Sequence, residues 1–273
     1  MTVQTSPGGE LKAKHRAMWA FGDYPSVADE VIPSLGPVLV EAAGIRAGQR
    51  VLDVAAGSGN AAIPAARLGA EVVASDLTPE LLATGKAAAE AEGVTLEWRE
   101  ADAEALPFED GSFDATISCV GVMFAPHHQE SADELVRVTR SGGTIGLLSW
   151  TPEGFIGQMF STMKPYVAPP PAGVQPPPLW GREDHVRDLL GDRVTDVVAR
   201  REKLRVDRFA SAEEFRDFFK AAYGPTIAAY KQIADQPEKV AALDEDLAAL
   251  ARKHDLGDGV MEWEYLLLTA RTR

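Results

Sequence analysis

Three carboxylates and a glycine turn hold most of the chemistry in this sequence. Asp53 lies in Val51-Leu52-Asp53-Val54-Ala55-Ala56-Gly57-Ser58-Gly59-Asn60, Asp76 closes the apolar run 70–76, and Asp102 follows 94–100 within Glu100-Ala101-Asp102-Ala103-Glu104. Gly57 and Gly59 carry no Cβ, so a ligand can approach the backbone of that turn closely. Taken alone, the turn reads three ways. Gly57-Ser58-Gly59-Asn60-Ala61-Ala62 satisfies the G-x-G-x-x-A dinucleotide pattern, which makes an NAD(P)-dependent oxidoreductase one alternative. A plain strand-to-helix turn is a second, and a non-catalytic cofactor-binding protein on the same fold a third. The carboxylates discriminate among them. A dinucleotide site has no need of a carboxylate at Asp53, whereas an amino-acid ammonium does; the competing role for Asp53 is to cap the turn. Asp76 can accept from two ribose hydroxyls, and Asp102 from an exocyclic amine. Three carboxylates at the ends of three successive strands suit a ligand with ammonium, ribose and adenine amine groups, and suit a pyrophosphate poorly.

Those residues need a frame that brings three loop ends together. Short apolar runs at 50–55, 70–76, 94–100, 113–120 and 144–150 alternate with helical stretches at 61–68, 79–92 and 129–139. Runs too apolar to have a wet face, alternating with helices, predict a doubly wound α/β fold whose mostly parallel sheet is covered on both sides. Strands at 194–206 and 260–270 bring the count to seven. Thr78 is placed to N-cap the second helix, with Pro79 at its first position. Upstream, 11–20 predicts a short helix carrying Trp19, and 27–43 two short helices separated by Pro33 and Pro37. The first ten residues are polar and glycine-rich and are expected to fray. Downstream, seven prolines in 165–178 exclude regular helix there, leaving a surface connection or a lid. Helices at 182–190 and within 211–253 complete the pattern. Arg200, Arg201, Lys203, Arg205 and Arg208 are spaced as a solvated strand face rather than as an anion site.

The combined pattern resembles a class I S-adenosylmethionine-dependent methyltransferase, of the broad group that includes ubiquinone/menaquinone-biosynthesis methyltransferases. The residues that carry the resemblance are 51–59, Asp76, Ala101-Asp102-Ala103, Leu106-Pro107-Phe108 with Ser112-Phe113-Asp114, and Leu135-Val136-Arg137-Val138-Thr139-Arg140-Ser141-Gly142-Gly143. The group usually has glycine where Ala55 stands and proline where Ser141 stands; neither change blocks a cofactor. The resemblance implies a Rossmann-like fold and S-adenosyl-L-methionine as cofactor. It implies the methionine ammonium around Asp53, Ala55 and Gly57, with Ser58 and Gly59 in the same turn. It further implies Asp76 on the ribose, Leu77 against adenine, Asp102 on the adenine amine and the Ala103 amide on a ring nitrogen. The segment 119–124, beginning at Cys119, would flank the methionine portion and face the acceptor. Residues 1–45 would form an N-terminal helical segment over the site, bringing Trp19 and Tyr24 to it. Residues 46–273 would form the methyltransferase domain, with a cofactor core at 50–150 and a substrate cap and closing strands at 151–273.

Methyl transfer from a sulfonium needs alignment and exclusion of water, and needs a general base only when the acceptor is protonated. His127 and His128, just past the fourth strand, are the first base candidates and His15 the next, while His185 reads as structural. Trp19, Tyr24, Trp150, Phe155, Phe160, Tyr166, Trp180 and Tyr223 lie in segments flanking the core, where they either build an acceptor pocket or fill a subdomain core. They favour an apolar or aromatic small-molecule acceptor. No (Asn/Asp)-Pro-Pro-(Tyr/Phe) motif stands at Ser118 and Cys119, which disfavours amino-group methylation of adenine, cytosine or glutamine.

Composition narrows the remainder. The 273 residues are 45% hydrophobic and 25% charged, an ordinary globular balance, and the net charge of −14 repels phosphate backbones and disfavours a nucleic-acid partner. A single cysteine, Cys119, with five histidines excludes an internal disulfide and argues against a metal site. No apolar leader opens the sequence and no run reaches a membrane span. The expectation is a cytoplasmic protein acting as a monomer or homodimer.

Overall fold

A computed structural model describes residues 7–273. Seven strands, β1 (Arg50–Val54), β2 (Glu71–Asp76), β3 (Glu97–Glu100), β4 (Phe113–Cys119), β5 (Thr139–Trp150), β6 (Val194–Val206) and β7 (Met261–Thr272), form one sheet in the order β3-β2-β1-β4-β5-β7-β6. β1 to β5 pair in parallel, while β7 runs antiparallel between β5 and β6. The strand order reverses between β1 and β4, the place where an open α/β sheet forms a crevice beyond its carboxyl ends. Central strands have nearly every residue buried, as their unbroken apolar runs require. The architecture is the doubly wound, Rossmann-like α/β fold.

Eleven α-helices among the described residues accompany the sheet: α1 (Pro7–Trp19), α2 (Tyr24–Glu30), α3 (Leu35–Ala42), α4 (Ala62–Arg67), α5 (Pro79–Ala91), α6 (His128–Val138), α7 (Phe155–Met163), α8 (Glu183–Leu190), α9 (Ala212–Ala222), α10 (Gly224–Gln232) and α11 (Pro237–His254). Asp23 caps α2 by accepting from the Ser26 amide at 3.2 Å, and Ser211 caps α9 by accepting from the Glu214 amide at 3.1 Å. Of the two prolines expected to split 27–43, only Pro33 falls between helices. Pro37 sits in the first turn of α3, where its missing N–H leaves no bond unmade. Thr78 occupies the N-cap of α5 but makes no side-chain bond to it.

Other boundaries differ for local reasons. α1 begins at Pro7, so residues 7–10 form its first turn rather than a frayed end; residues 1–6 lie outside the described residues. β5 starts at Thr139, directly after α6, with a register shift against β4 that absorbs Gly142 and Gly143. α7 was not foreseen; its Phe155 stacks on Trp263 of β7 with ring centres 5.0 Å apart. The basic run is paired along its length: on β6, the outer strand of the sheet, Arg200 with Glu202, Arg201 with Glu264 and Lys203 with Glu262, and just beyond it Arg208 with Glu30. Residues 165–178 form no α-helix. Within them Gln175 is tied to the segment after β4, its amide donating to the Pro126 carbonyl at 3.0 Å and its Oε1 accepting from the His128 amide at 3.2 Å. No helix among the described residues is long and apolar enough to cross a membrane.

Candidate functional site

A cavity opens at the carboxyl ends of β1, β2 and β4. Its floor is made of strand ends in unusual conformations. Ala55, after β1, has φ +54°, and Val120, after β4, has φ +48°, a strained choice for a β-branched residue. Gly57 (φ +57°) lies under the Tyr24 ring, 3.2 Å from where a Cβ would stand. A Cβ on Gly121 would stand 2.1 Å from the Ala55 carbonyl oxygen, so the two turns pack backbone to backbone.

Asp76 anchors the cavity's centre. Its Oδ2 accepts from the Gly57 amide at 2.9 Å and its Oδ1 from the Thr78 amide at 2.8 Å, which fixes the carboxylate at the cavity wall. Burial pushes its carboxyl up and those amides oppose the shift. Asp102 and Ala103 form one end beside Leu77, and Asp102 also accepts from the Glu104 amide at 3.0 Å. Lys12, His15 and Trp19 of α1 face the same space. Lys12 pairs with Asp102 and, at 2.5 Å, with Glu104.

Asp53 sits behind this wall rather than in it. The residue has no exposed surface, and neither carboxylate oxygen makes a hydrogen bond of good geometry; the nearest donor is the Ala62 amide, too poorly aligned to satisfy the group. Burial, reinforced by the charge of Asp76 and only partly offset by the Ala62 amide, pushes its pKa up to about 8. A buried carboxylate without a partner is costly, and a cation brought close in front of it would relieve that cost.

The structure gathers Ala55, Gly57, Asp76, Leu77, Asp102, Ala103, His15, Trp19 and Tyr24 around one cavity. It does not bring the remaining candidates to that surface. Ser58 and Gly59 face the other way: Cβ atoms built on Gly85 and Gly59 would stand 2.6 Å from the Ser58 carbonyl oxygen and 2.7 Å from the Trp98 ring respectively. Cys119 is buried at the end of β4, its Sγ accepting from Asn60 Nδ2 at 3.7 Å. His127 is held outside the cavity wall by Glu104, whose Oε2 lies 3.0 Å from its Nδ1. His128 is fully buried, with Nδ1 3.0 Å from His185 Nε2 and its ring 5.5 Å from that of Trp180. Burial first, then the His185 ring, pulls the His128 pKa down to about 4. Of the three histidines only His15 reaches the cavity, and burial lowers its pKa too, so it is neutral at pH 7. Glu104, His127 and Glu130 come within 4.8 Å of one another, but the Lys12 ammonium already supplies the positive charge at Glu104.

Lys12 and Glu104 were not singled out from the sequence. The signal for Lys12 was available: Lys12, His15 and Trp19 follow the i, i+3, i+7 spacing of one helical face.

A second, smaller cavity of about 20 Å³ adjoins the first and shares Tyr24, Val120 and Phe124 with it. Trp150, Phe219, Tyr223 and Trp263 line its far side, and none of its lining residues is charged. Trp19 extends this aromatic set, its ring meeting those of Tyr24, Phe124 and Tyr223 edge to face at 5.4, 4.7 and 5.7 Å. Of the other flanking aromatics, Phe160 packs on Phe124, Tyr166 donates to Asp246 on the surface, and Trp180 is buried beside His128.

The family described as methyltransferase domain matches residues 52–147. Protein Rv1403c of Mycobacterium tuberculosis is 57% identical over 274 residues, covering 99% of each chain. The ubiquinone/menaquinone biosynthesis C-methyltransferase UbiE of Zymomonas mobilis is 30% identical over 183 residues, covering 65% of this chain and 67% of that one. Among solved structures, the YcgJ protein of Bacillus subtilis shares the fold at a TM-score of 0.58 and 19% identity, covering 88% of this chain and 98% of its own.

Proposed function

This chain belongs to the class I S-adenosylmethionine-dependent methyltransferases, and from that premise we propose that it methylates a small, apolar or aromatic acceptor in the cytoplasm, as a monomer or homodimer. The cofactor supplies a methyl carbon on a positively charged sulfur, open to in-line displacement. The residues of the larger cavity fit that cofactor by chemistry. Asp76, fixed at the cavity wall, offers a carboxylate to ribose hydroxyls, Leu77 offers an apolar face for adenine, and Asp102 and the Ala103 amide offer an acceptor and a donor to the adenine edge. The unpartnered Asp53 carboxylate, behind the Ala55–Gly57 turn, is suited to a nearby ammonium.

The observation that carries the acceptor reading is the shared wall. Tyr24, Val120 and Phe124 line both the cavity with the carboxylates and the uncharged aromatic one, so the wall beside a bound cofactor is apolar and aromatic, the surface that an apolar acceptor would meet. The chain's contribution is then orientation and exclusion of water, effects that together lower such barriers by roughly 7–11 kcal/mol. The Trp19, Tyr24 and Phe124 rings cover the junction. His15 is the one histidine placed to take a proton from an acceptor at the cavity edge.

Incubation with methyl-labelled cofactor and a panel of phenols, quinols, sterol-like molecules, polar amines and oligonucleotides tests the assignment. Label is expected in an apolar or aromatic member. Label confined to amines or oligonucleotides contradicts it.

A further inference from the structure

Four acidic side chains gather about the turn that follows β1. Asp53 on β1, Asp76 on β2 and Cys119 on β4 are buried, and the Tyr24 ring of α2 lies over Gly57. They feel one another: Asp76 acts on Asp53, Asp53 acts on Cys119, and all three act on Tyr24. Burial is the largest influence on each, and it favours the protonated form.

Three of the four have a settled state. The Asp76 oxygens take the Gly57 and Thr78 amides, which stabilise its charge. Burial drives the Tyr24 phenol and the Cys119 thiol well upward, so both stay neutral near pH 7. Asp53 is different. It is wholly buried, its oxygens make no hydrogen bond of good geometry, and the neighbouring charge is the like charge of Asp76. No basic group on the chain answers it. Among the described residues that line the cavity, Lys12 is held by Asp102 and Glu104, and His15 is kept neutral by burial. A carboxyl in such surroundings keeps its proton until a cation is placed beside it.

Resting on the methyltransferase reading above, we propose that Asp53 is protonated in the free chain and releases its proton when the cofactor's ammonium is seated at the Ala55–Gly57 turn, so that cofactor binding is coupled to proton release. The Asp53 O–H bond breaks, its electron pair stays on the carboxylate, and the proton passes to the solvent. The buried anion thereby forms only with its counter-charge in place.

The sign of the pH dependence follows. Burial holds the free Asp53 carboxyl at about 8, so below that pH each cofactor bound displaces a proton and affinity rises with pH. Above about 8 an α-amino group loses its own proton, and affinity falls again. Binding is therefore tightest near pH 8. An adenosine thioether that lacks the amino-acid group leaves Asp53 protonated and shows no such dependence.

The test titrates the full chain calorimetrically with S-adenosylhomocysteine at pH 6.5, once in phosphate and once in imidazole. The two buffers take up a proton with very different heats, so the difference in binding heat counts the protons released. About one proton per chain is expected, with affinity rising about five- to ten-fold between pH 6 and pH 7. Methylthioadenosine, which keeps the adenosine and the thioether but has no ammonium, is expected to bind with equal heats in both buffers. Asp53→Asn is expected to bind the product more weakly and to release no proton. Should Asp53→Asn unfold, the comparison of the two ligands on the parent chain decides. Product binding with equal heats in the two buffers, or the same release with methylthioadenosine or with Asp53→Asn, would overturn the proposal and leave the methyltransferase reading standing. A folded parent chain that binds no product overturns both.

Discussion

The Lys12 ammonium, on α1, is paired with the Asp102 carboxylate that follows β3, so the N-terminal helix is fastened to the edge of the cofactor cavity. The same ammonium reaches Glu104 at 2.5 Å, and Arg16, one turn further along α1, meets Glu100 at 2.8 Å. Glu104 in turn holds His127, whose backbone amide donates to its Oε1 at 2.6 Å. One buried carboxylate thereby joins α1 to the segment after β4. Burial alone would raise the Glu104 carboxyl, but Lys12 and His127 outweigh it and hold it below its ordinary value.

Lys12→Met should loosen α1 without unfolding the sheet. It leaves Glu104 with only His127 and removes a half-buried pair, a loss of about 1–3 kcal/mol. Hydrogen exchange read by mass spectrometry should show faster exchange in α1, with β1 and β4 unchanged. Unchanged exchange in α1 would mean that Trp19 packing, not Lys12, holds the helix.

Asp53 makes stability depend on pH in an unusual direction. Its folded pKa is raised to about 8 from 3.8, so its favourable contribution is complete below the unfolded value and is lost as pH rises through 8. Asp53→Asn should remove that loss, leaving the variant more stable than the parent at pH 9 in urea melts. The same substitution should weaken S-adenosylmethionine binding about ten-fold or more, since an ammonium seated nearby would draw the Asp53 carboxyl into its ionised form and an amide cannot follow. Parallel pH–stability curves for parent and variant would show that Asp53 is ionised in the folded protein.

His128 acts in the opposite direction. Its pKa falls to about 4 through burial and the His185 ring, and that of His185 is lowered as well, by burial. The unfolded chain therefore binds protons that the folded chain refuses, and stability drops as pH falls from about 6.5 toward 4. His128→Phe should reduce the difference in melting temperature between pH 7 and pH 4.5. A variant with the full acid sensitivity of the parent would locate that sensitivity elsewhere.

Gly121 has no room for a side chain, because a Cβ would overlap the Ala55 carbonyl oxygen at 2.1 Å. Gly121→Ala should force the turns after β1 and β4 apart, lower stability by roughly 1–3 kcal/mol and weaken cofactor binding. Gly93→Ala supplies the contrast: nothing lies within 4 Å of its Cβ position, and only its positive φ is penalised. Equal effects of the two on cofactor binding would dissociate the turn contact from the site.

How much of this was legible in the sequence follows from the range of the interactions involved. β1, β2 and β4 are short apolar runs with turns behind them, a pattern written in adjacent residues, and Asp76 and Asp102 could be assigned because each ends such a run. Asp53 was legible as a strand carboxylate, but not as one sealed behind the turn, because its burial depends on packing from α4 and β4. The histidine pair at 127–128 shows the limit most clearly. Two adjacent residues point to different partners, one to Glu104 and the other to His185, and those partners come from distant parts of the chain. The aromatic cavity was half legible: Tyr24, Trp150 and Tyr223 were among the candidates, whereas Phe219 and Trp263 reach it only through the docking of α9 and β7.

The measurement closest to the central claim is calorimetric titration with S-adenosylhomocysteine of the parent chain and of Asp76→Asn, whose carboxylate binds the Gly57 and Thr78 amides and faces the cavity. One molecule is expected to bind per chain, with affinity falling at least ten-fold in the variant while its fold is kept by circular dichroism. A folded parent chain that shows no binding, or a variant that binds as tightly as the parent, would contradict the account.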